Sequence, residues 1–272
     1  MAAAGVQLVS ARVVKAFVLV ALGCGLIGCS SSSRTSTVSS TSTASSTSQP
    51  RTWRIVALGD SVPRGTNCDC TPYPPLTAKG LASHTGQTVT AVNDSVAGYK
   101  TSDVLHQLQA DESVIDHVRS ADVVEIEIGA NDVAYSGSCG TATDCYAPRL
   151  ATMKTNLETI VRRVHEITAG HHVLLVLLDY WSVWLGGQYA AAKGDAYVDA
   201  AAKVTDQVNT AIKATAAHSG SAYVDLRAAF KGPDYTYDET HYLSNDGDHP
   251  NAAGHQQIAA ATQAVIENTL HI

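Results

Sequence analysis

What most constrains this chain is the alternation, from residue 53 onward, of apolar runs of strand length with longer segments of helical period. The runs are 53–58 (WRIVAL), 88–93 (TVTAVN), 122–128 (DVVEIEI), 172–179 (HVLLVLLD) and 222–226 (AYVDL). Between them, Leu105, Leu108, Ile115 and Val118 form one stripe over 102–119, and Leu150, Met153, Leu157, Ile160, Val164 and Ile167 another over 147–168. A stripe of this kind buries one face of a helix. Strands alternating with helices give a parallel sheet with helices packed on it. The expectation is one α/β domain, a single doubly wound (flavodoxin-like) five-stranded parallel sheet with helices on both faces. Gly170 is placed to cap the second helix. A third helix is expected over 195–218, and a last one over 251–269 opens after Pro250 with Asn251 as its N-cap. One strand departs from type: Glu125 and Glu127 alternate with Val124, Ile126 and Ile128, whereas a parallel strand covered on both faces reads apolar throughout. Because unpaired buried carboxylates are costly, this face is expected to be solvated.

The folded domain is expected over residues 51–272. Upstream, Arg12 and Lys15 precede AFVLVALGCGLIG, the order of a secretory signal peptide over residues 1–28. The apolar run is too short to span a membrane as a stable helix. LIGC resembles a bacterial lipobox, which implies cleavage before Cys29 and lipidation of its thiol. The domain would then sit at the outer face of the cytoplasmic membrane or in the envelope, or be partly secreted. Residues 29–50 form the tether, nearly all Ser and Thr, with too little apolar surface to offset the entropy of ordering them. Such a tract also accepts O-linked sugars.

Formal net charge is −7, and cleavage before Cys29 removes two of 18 Lys+Arg and none of 25 Asp+Glu, leaving −9. That balance argues against a nucleic-acid groove or a polybasic membrane patch. The lipid anchor is the one membrane contact expected, and a monomer the simplest state. Cys68, Cys70, Cys139 and Cys145 remain in the domain, in an oxidising compartment. Four cysteines allow three pairings. Direct closure of Cys68 to Cys70 would strain disulfide geometry, so two bridges joining the 62–75 loop to the 133–149 loop are expected. No Cys-x-x-Cys or Cys/His spacing suggests a zinc site.

In a doubly wound sheet, ligands gather outside the carboxyl ends of the strands. Strand one ends in Gly59-Asp60-Ser61, strand two in NDSVAGYKT, and strand three in GAND at 129–132, while NDGDHPNAAGH at 245–255 precedes the last helix. A Ser, a Gly, an Asn and an Asp-x-x-His thus converge on one edge. The stretch around Ser61 does not spell the G-x-S-x-G nucleophile elbow, so its helpers must lie elsewhere in the chain.

With these four blocks in order, residues 53–270 resemble the GDSL, or SGNH, family of serine esterases and lipases. The resemblance implies an SGNH-hydrolase-type fold and the following roles. Ser61 would be the nucleophile, His249 its general base, and Asp246 the group that orients the imidazole. The N–H groups of Ser61 and Gly98 and the side-chain amide of Asn131 would form the oxyanion hole. A hydroxyl is a poor nucleophile until a neutral imidazole takes its proton, and the developing oxyanion needs fixed donors. No cofactor or metal is implied. Ser95, Ala97 and bulky Tyr99 depart from the family's glycine block, which bears on substrate preference more than on chemistry.

Each residue also has a plainer role open to it. Ser61 could cap a helix, Asn131 could form an Asx turn, and Gly98 could answer a need for positive φ. The Asp246–Asp248 turn lacks the spacing of a calcium loop, and His255 on the last helix reads as structural. The loop DYWSVWLGGQYA brings Tyr180, Trp181, Trp184 and Tyr189 to the same edge, as an aromatic wall or lid for an acyl or aryl group or as rings packed under a surface loop. Tyr99, Trp181, Trp184 and Tyr189 are the candidate substrate contacts. The leading expectation is an extracytoplasmic hydrolase of lipid or small acyl esters. A cell-wall carbohydrate O-deacetylase is the close alternative, and a binding module that has kept the fold without turnover is the more distant one. Because the base must be neutral, activity should rise with pH through an ordinary histidine titration near ~6.5.

Overall fold

A computed structural model describes residues 52–272. The signal-peptide, lipobox and tether expectations for residues 1–50 lie outside the described residues. Five strands, β1 (Thr52–Gly59), β2 (Thr88–Asn93), β3 (Val123–Glu127), β4 (Leu174–Leu178) and β5 (Ala222–Val224), pair in parallel in the order β2-β1-β3-β4-β5. The chain runs from β1 outward to β2, then returns to the far side of β1 for β3. Strand order therefore reverses between β1 and β3, and the crevice at their carboxyl ends is where such a sheet receives ligands.

The helices are α1 (Ser61–Arg64), α2 (Tyr73–Thr85), α3 (Thr101–Ala110), α4 (Glu112–Arg119), α5 (Ala147–Ile167), α6 (Gly187–Ala191), α7 (Asp195–Ser219), α8 (Leu226–Lys231) and α9 (Ala252–Leu270). On one face α2 packs on α9; on the other α5 packs between α3 and α7. The core runs through both layers, from Ile55, Leu58, Val124 and Ile126 in the sheet to Leu81, Leu108, Leu157, Val208 and Ile258 in the helices.

The differences from the sequence reading have local causes. The helix expected over 102–119 is two helices, because Asp111 turns out of helical geometry and its carboxylate accepts from the N–H groups of Ser113 and Val114, capping α4. Helix α2 occupies a stretch read as partly loop: Pro74 and Pro75 fall in its first turn, where a missing N–H costs nothing. Gly80 lies within it where α2 meets α9, and a Cβ there would meet the Gln263 side chain. Helix α5 ends with Thr168 as its cap rather than Gly170, the Thr168 hydroxyl donating to Val164 O at 2.9 Å. Asn251 caps α9 as expected, accepting from Ala253 N and Gly254 N.

The solvated face expected for β3 is not found. Glu125 and Glu127 are wholly buried; the Glu125 carboxyl oxygens have no hydrogen-bond partner among the described residues, and the group beside Glu127 is the buried Tyr73 hydroxyl. Burial holds both well above the ordinary carboxylate range, favouring the neutral form. The alternating pattern is real, but helices cover both faces of a parallel sheet.

The disulfide expectation is also corrected. Cys68 bonds Cys70 and Cys139 bonds Cys145, with Cα separations of 5.0 and 5.6 Å. Each bridge closes its own loop and none joins the two. Asn67 and Asp69 take positive φ of 59° and 47°, which folds the Cys-Asp-Cys segment back on itself; Asn and Asp tolerate this region better than most residues.

Candidate active site

The site begins where β1 ends. Gly59 has φ 154°, and a Cβ there would strike the carbonyl of Glu127 and the ring of Pro63, so only glycine lets β1 pass into α1 against β3. Asp60, not Ser61, caps α1: its buried carboxyl accepts from Val62 N at 3.1 Å and from the Tyr180 hydroxyl at 2.7 Å. Burial raises the Asp60 pKa to about 6, against the lowering effect of those two donors. Ser61 is therefore released from capping and stands half-buried at the first position of α1. No acceptor within the domain takes its N–H in the described structure.

After β3, a short 3-10 turn at Ala130–Asp132 carries Asn131. Its amide donates to Tyr99 O at 3.0 Å, and Asp132 accepts from Thr101 N and Thr101 Oγ at 2.9 and 2.6 Å. These bonds tie the end of β3 to the turn after β2. In that turn, Tyr99 N donates to Val96 O at 3.1 Å, and Gly98 takes φ 83°, which a residue with a Cβ resists. The Gly98 N–H likewise has no acceptor among the described residues.

The Asp-x-x-His block forms a tight turn before α9. The Asp246 Oδ1 accepts from Asp248 N and His249 N, both at 3.0 Å, and its Oδ2 lies 2.7 Å from His249 Nδ1. Partial burial opposes the charge of Asp246, but the Asn67 amide, the two backbone donors and His249 outweigh it and lower the pKa to about 2. Asp246 is thus ionised across the working range, and with Nδ1 committed to it, His249 has Nε2 left for chemistry. Gly247, at φ 73°, has no room for a Cβ under the Tyr189 ring.

Ser61, Asn131 and His249 all line one half-open cavity of about 520 Å³. Its far wall is aromatic. Trp184 is anchored through Nε1 to Val133 O at 2.8 Å and packs against Tyr135, Tyr146 and Tyr197. Trp181 stacks on Phe230 with centroids 4.3 Å apart. Both indoles are buried, so they form a fixed wall and no lid. Two expected contacts lie elsewhere: Tyr99 borders a separate hollow with Asp103 and His106, and Tyr189 covers Gly247 outside the cavity lining. Gly98 is likewise outside that lining, reached through the Asn131–Tyr99 bond. Tyr135 and Tyr197 line the cavity and were missed. Tyr135, three residues past the GAND block, was within reach of a motif argument; Tyr197, on the first turn of α7, gave no local signal.

Cys68, Cys70 and His255 bring ligand atoms within 4.8 Å of one another. With the two sulfurs bonded to each other there is no thiolate to bind a cation, and this set does not fit a metal. His255 is wholly buried, and burial, followed by the nearby charge of His249, lowers its pKa to about 4. It is a neutral packing residue, as its place on the last helix suggested.

A serine and an imidazole–carboxylate pair at the switch point of a parallel sheet define an α/β ester hydrolase. The chain belongs to the GDSL-like lipase/acylhydrolase family, whose model matches residues 57–257. The fold is similar to that of the lipase Lip_vut3 from a goat rumen metagenome, with a TM-score of 0.61, 18% identity, and 78% of this chain and 97% of that one covered. It is similar also to TesA (TM-score 0.56, 16% identity, 79% and 98% covered). The acetylxylan esterase Axe2 from Geobacillus stearothermophilus is a third (TM-score 0.56, 20% identity, 79% and 94% covered). At these identities the likeness is one of fold. No curated protein matches the chain.

Proposed function

We propose that this carboxylic ester hydrolase works through an acyl-enzyme on Ser61, with a lipid or small acyl ester as substrate. The observation that carries the reading is the 2.7 Å His249–Asp246 contact on an imidazole that shares its cavity with Ser61. His249 Nε2 takes the Ser61 proton as Oγ attacks the ester carbonyl. Asp246 fixes the tautomer and stabilises the imidazolium. The Ser61 N–H and the Asn131 amide, both on the cavity, receive the oxyanion, with the Gly98 N–H beside the Asn131–Tyr99 bond as the further donor of this reading. His249 then protonates the departing alkoxide. Water, activated by the same imidazole, releases the acid and restores Ser61. The aromatic wall of Trp181, Trp184, Tyr135 and Tyr197 favours an acyl or aryl group in the cavity.

A second reading, removal of acetyl groups from a cell-wall glycan, is favoured by Tyr135, an aromatic residue that lines the cavity yet is 48% exposed at its mouth. The similarity of fold to an acetylxylan esterase supports the same reading. Export, with lipidation at Cys29 and a tether over 29–50, completes the proposal; it is supported by the order of charged, apolar and Ser/Thr-rich segments in residues 1–50.

The test is hydrolysis of p-nitrophenyl esters from acetate to palmitate by the full chain, with Ser61→Ala alongside. Turnover lost in the variant supports the acyl-enzyme. A maximum at medium or long chains favours the lipid ester, whereas activity confined to acetate and acetylated glycans favours the deacetylase. Turnover unchanged in Ser61→Ala would remove the nucleophile from this reading.

A further inference from the structure

The Asp246 carboxylate accepts four hydrogen bonds. Three come from its own turn, through Asp248 N, His249 N and His249 Nδ1. The fourth comes from across the molecule: Asn67 Nδ2 donates to Oδ2 at 2.5 Å over a sequence separation of 179 residues. Asn67 is held to the same turn a second time, because its carbonyl accepts from Ser244 Oγ at 3.1 Å. Ser244 N in turn donates to His249 O at 2.8 Å.

On its other side, the Asn67 loop is bound to the nucleophile's own backbone. Gly65 N and Thr66 N donate to Ser61 O at 3.1 and 3.0 Å, and Cys68 N donates to Gly65 O at 3.4 Å. A continuous path of bonds therefore runs from Ser61 through Asn67 to Asp246 and His249. Ser61 leaves the sheet at β1, whereas the Asp246–His249 turn hangs between α8 and α9. The turn is held to the segment after β4 by Gly186 N, which donates to Gly247 O at 2.8 Å, and among these ties Asn67 is the one that bonds the Asp246 carboxylate itself.

Asn67 reaches Asp246 from a positive-φ conformation, and Asp69 beyond it is in the same region. The segment has no strand or helix to hold it. The Cys68–Cys70 bridge closes the chain around Asp69 and limits the conformations open to its neighbour.

We propose that Asn67 is a positioning residue that sets the Asp246–His249 pair against Ser61, and that the Cys68–Cys70 disulfide keeps Asn67 in that place. This rests on the catalytic reading of Ser61, His249 and Asp246. A hydrogen bond to an ionised group accounts for about tenfold or more in an equilibrium or rate. The group acts on proton transfer through the imidazole and touches no substrate, so its loss lowers kcat and leaves KM in place.

The test uses the full chain with Asn67→Gly, which permits the positive-φ conformation and removes the side chain with its amide. A Cys68→Ser/Cys70→Ser double variant and the combination of all three accompany it, with Ser61→Ala and Asp246→Asn as references. We expect Asn67→Gly to lose about tenfold in kcat at unchanged KM. The cysteine variant should lose a similar factor, and the combination no more than the larger single loss, since both act on one contact. A kcat for Asn67→Gly within twofold of the parent, with Asp246→Asn impaired, overturns the positioning role. A shift confined to KM or to thermal midpoint does the same. Losses that multiply in the combination overturn the role given to the disulfide. If Ser61→Ala and Asp246→Asn both retain full turnover, the catalytic reading itself has failed.

Discussion

The turn at Asp246 and the interior of β3 both hold acidic side chains, and the molecule treats them in opposite ways. Asp246 meets four donors, and despite partial burial its pKa falls to about 2. Glu125 and Glu127 are wholly buried; Glu125 meets no donor among the described residues and Glu127 has only the Tyr73 hydroxyl beside it, and burial holds both well above the ordinary carboxylate range. Asp60 lies between these extremes, buried like the glutamates but with two donors, and is raised to about 6. The contrast teaches that burial alone does not decide ionisation here. Donors supplied by a turn outweigh partial desolvation, whereas a strand spends its N–H groups on the ladder and leaves its side chains none.

The comparison breaks most severely if the ionised carboxylate has no chemical role. His249→Ala should lower kcat by roughly 10⁴-fold or more, and Asp246→Asn by less, because members of a triad act as a unit and are not additive. Initial rates on a short-chain p-nitrophenyl ester measure both, and near-parental turnover in His249→Ala would contradict the assignment. Next in size, Asn131→Ala should cost ~10²–10³-fold in kcat if its amide receives the oxyanion. A change in KM alone would limit Asn131 to its structural bond with Tyr99.

A smaller effect tests the buried acids. Asp60 (about 6), Asp179 (about 7), Glu125 and Glu127 all titrate higher in the folded state than in the unfolded chain, each mainly through burial. Between the unfolded and folded values the native state binds more protons, so stability falls as pH rises through this window. His255, lowered to about 4 by burial, opposes this, favouring the fold as pH rises from 4 towards 6.5. Four carboxyls outweigh one imidazole, and the thermal midpoint should be higher at pH 5.5 than at pH 7.5. Asp246 changes nothing in that range, because its stabilisation is lost only as pH falls below the ordinary carboxylate value towards about 2. A midpoint that drops steadily below pH 7 would show that the buried acids are solvated after all. The smallest expected effect is that of Glu125→Gln, a neutral isostere that should flatten part of this pH slope and raise the midpoint slightly at pH 7.5, with turnover unchanged.

Much of this was legible in residue order. The five strands were located to within a residue or two, since apolar runs between helical stripes leave little choice of layer. Ser61, Asn131 and the Asp-x-x-His block could be placed because each follows a strand or precedes a helix, where the chain must turn and side chains face the crevice. The failures lie where geometry, local or distant, overrides pattern. The burial of Glu125 and the arrival of Tyr197 at the cavity depend on what packs from distant segments, and the pairing of Cys68 with Cys70 on a backbone turn at Asn67 and Asp69 that residue spacing does not show. Local periodicity carries no record of that.

The sequence by itself determined the layered α/β architecture, through patterning that admits few ways to bury its apolar faces, and the residues available for chemistry at the strand ends. Only the tertiary structure decided which carboxyl groups are charged. It also freed Ser61 by giving the capping role to Asp60, made the aromatic loop a fixed wall, and brought Asn67 to Asp246. These outcomes turn on the distances between segments far apart in the chain, and such distances are set by packing and by hydrogen-bond donors that arrive only once the chain has folded.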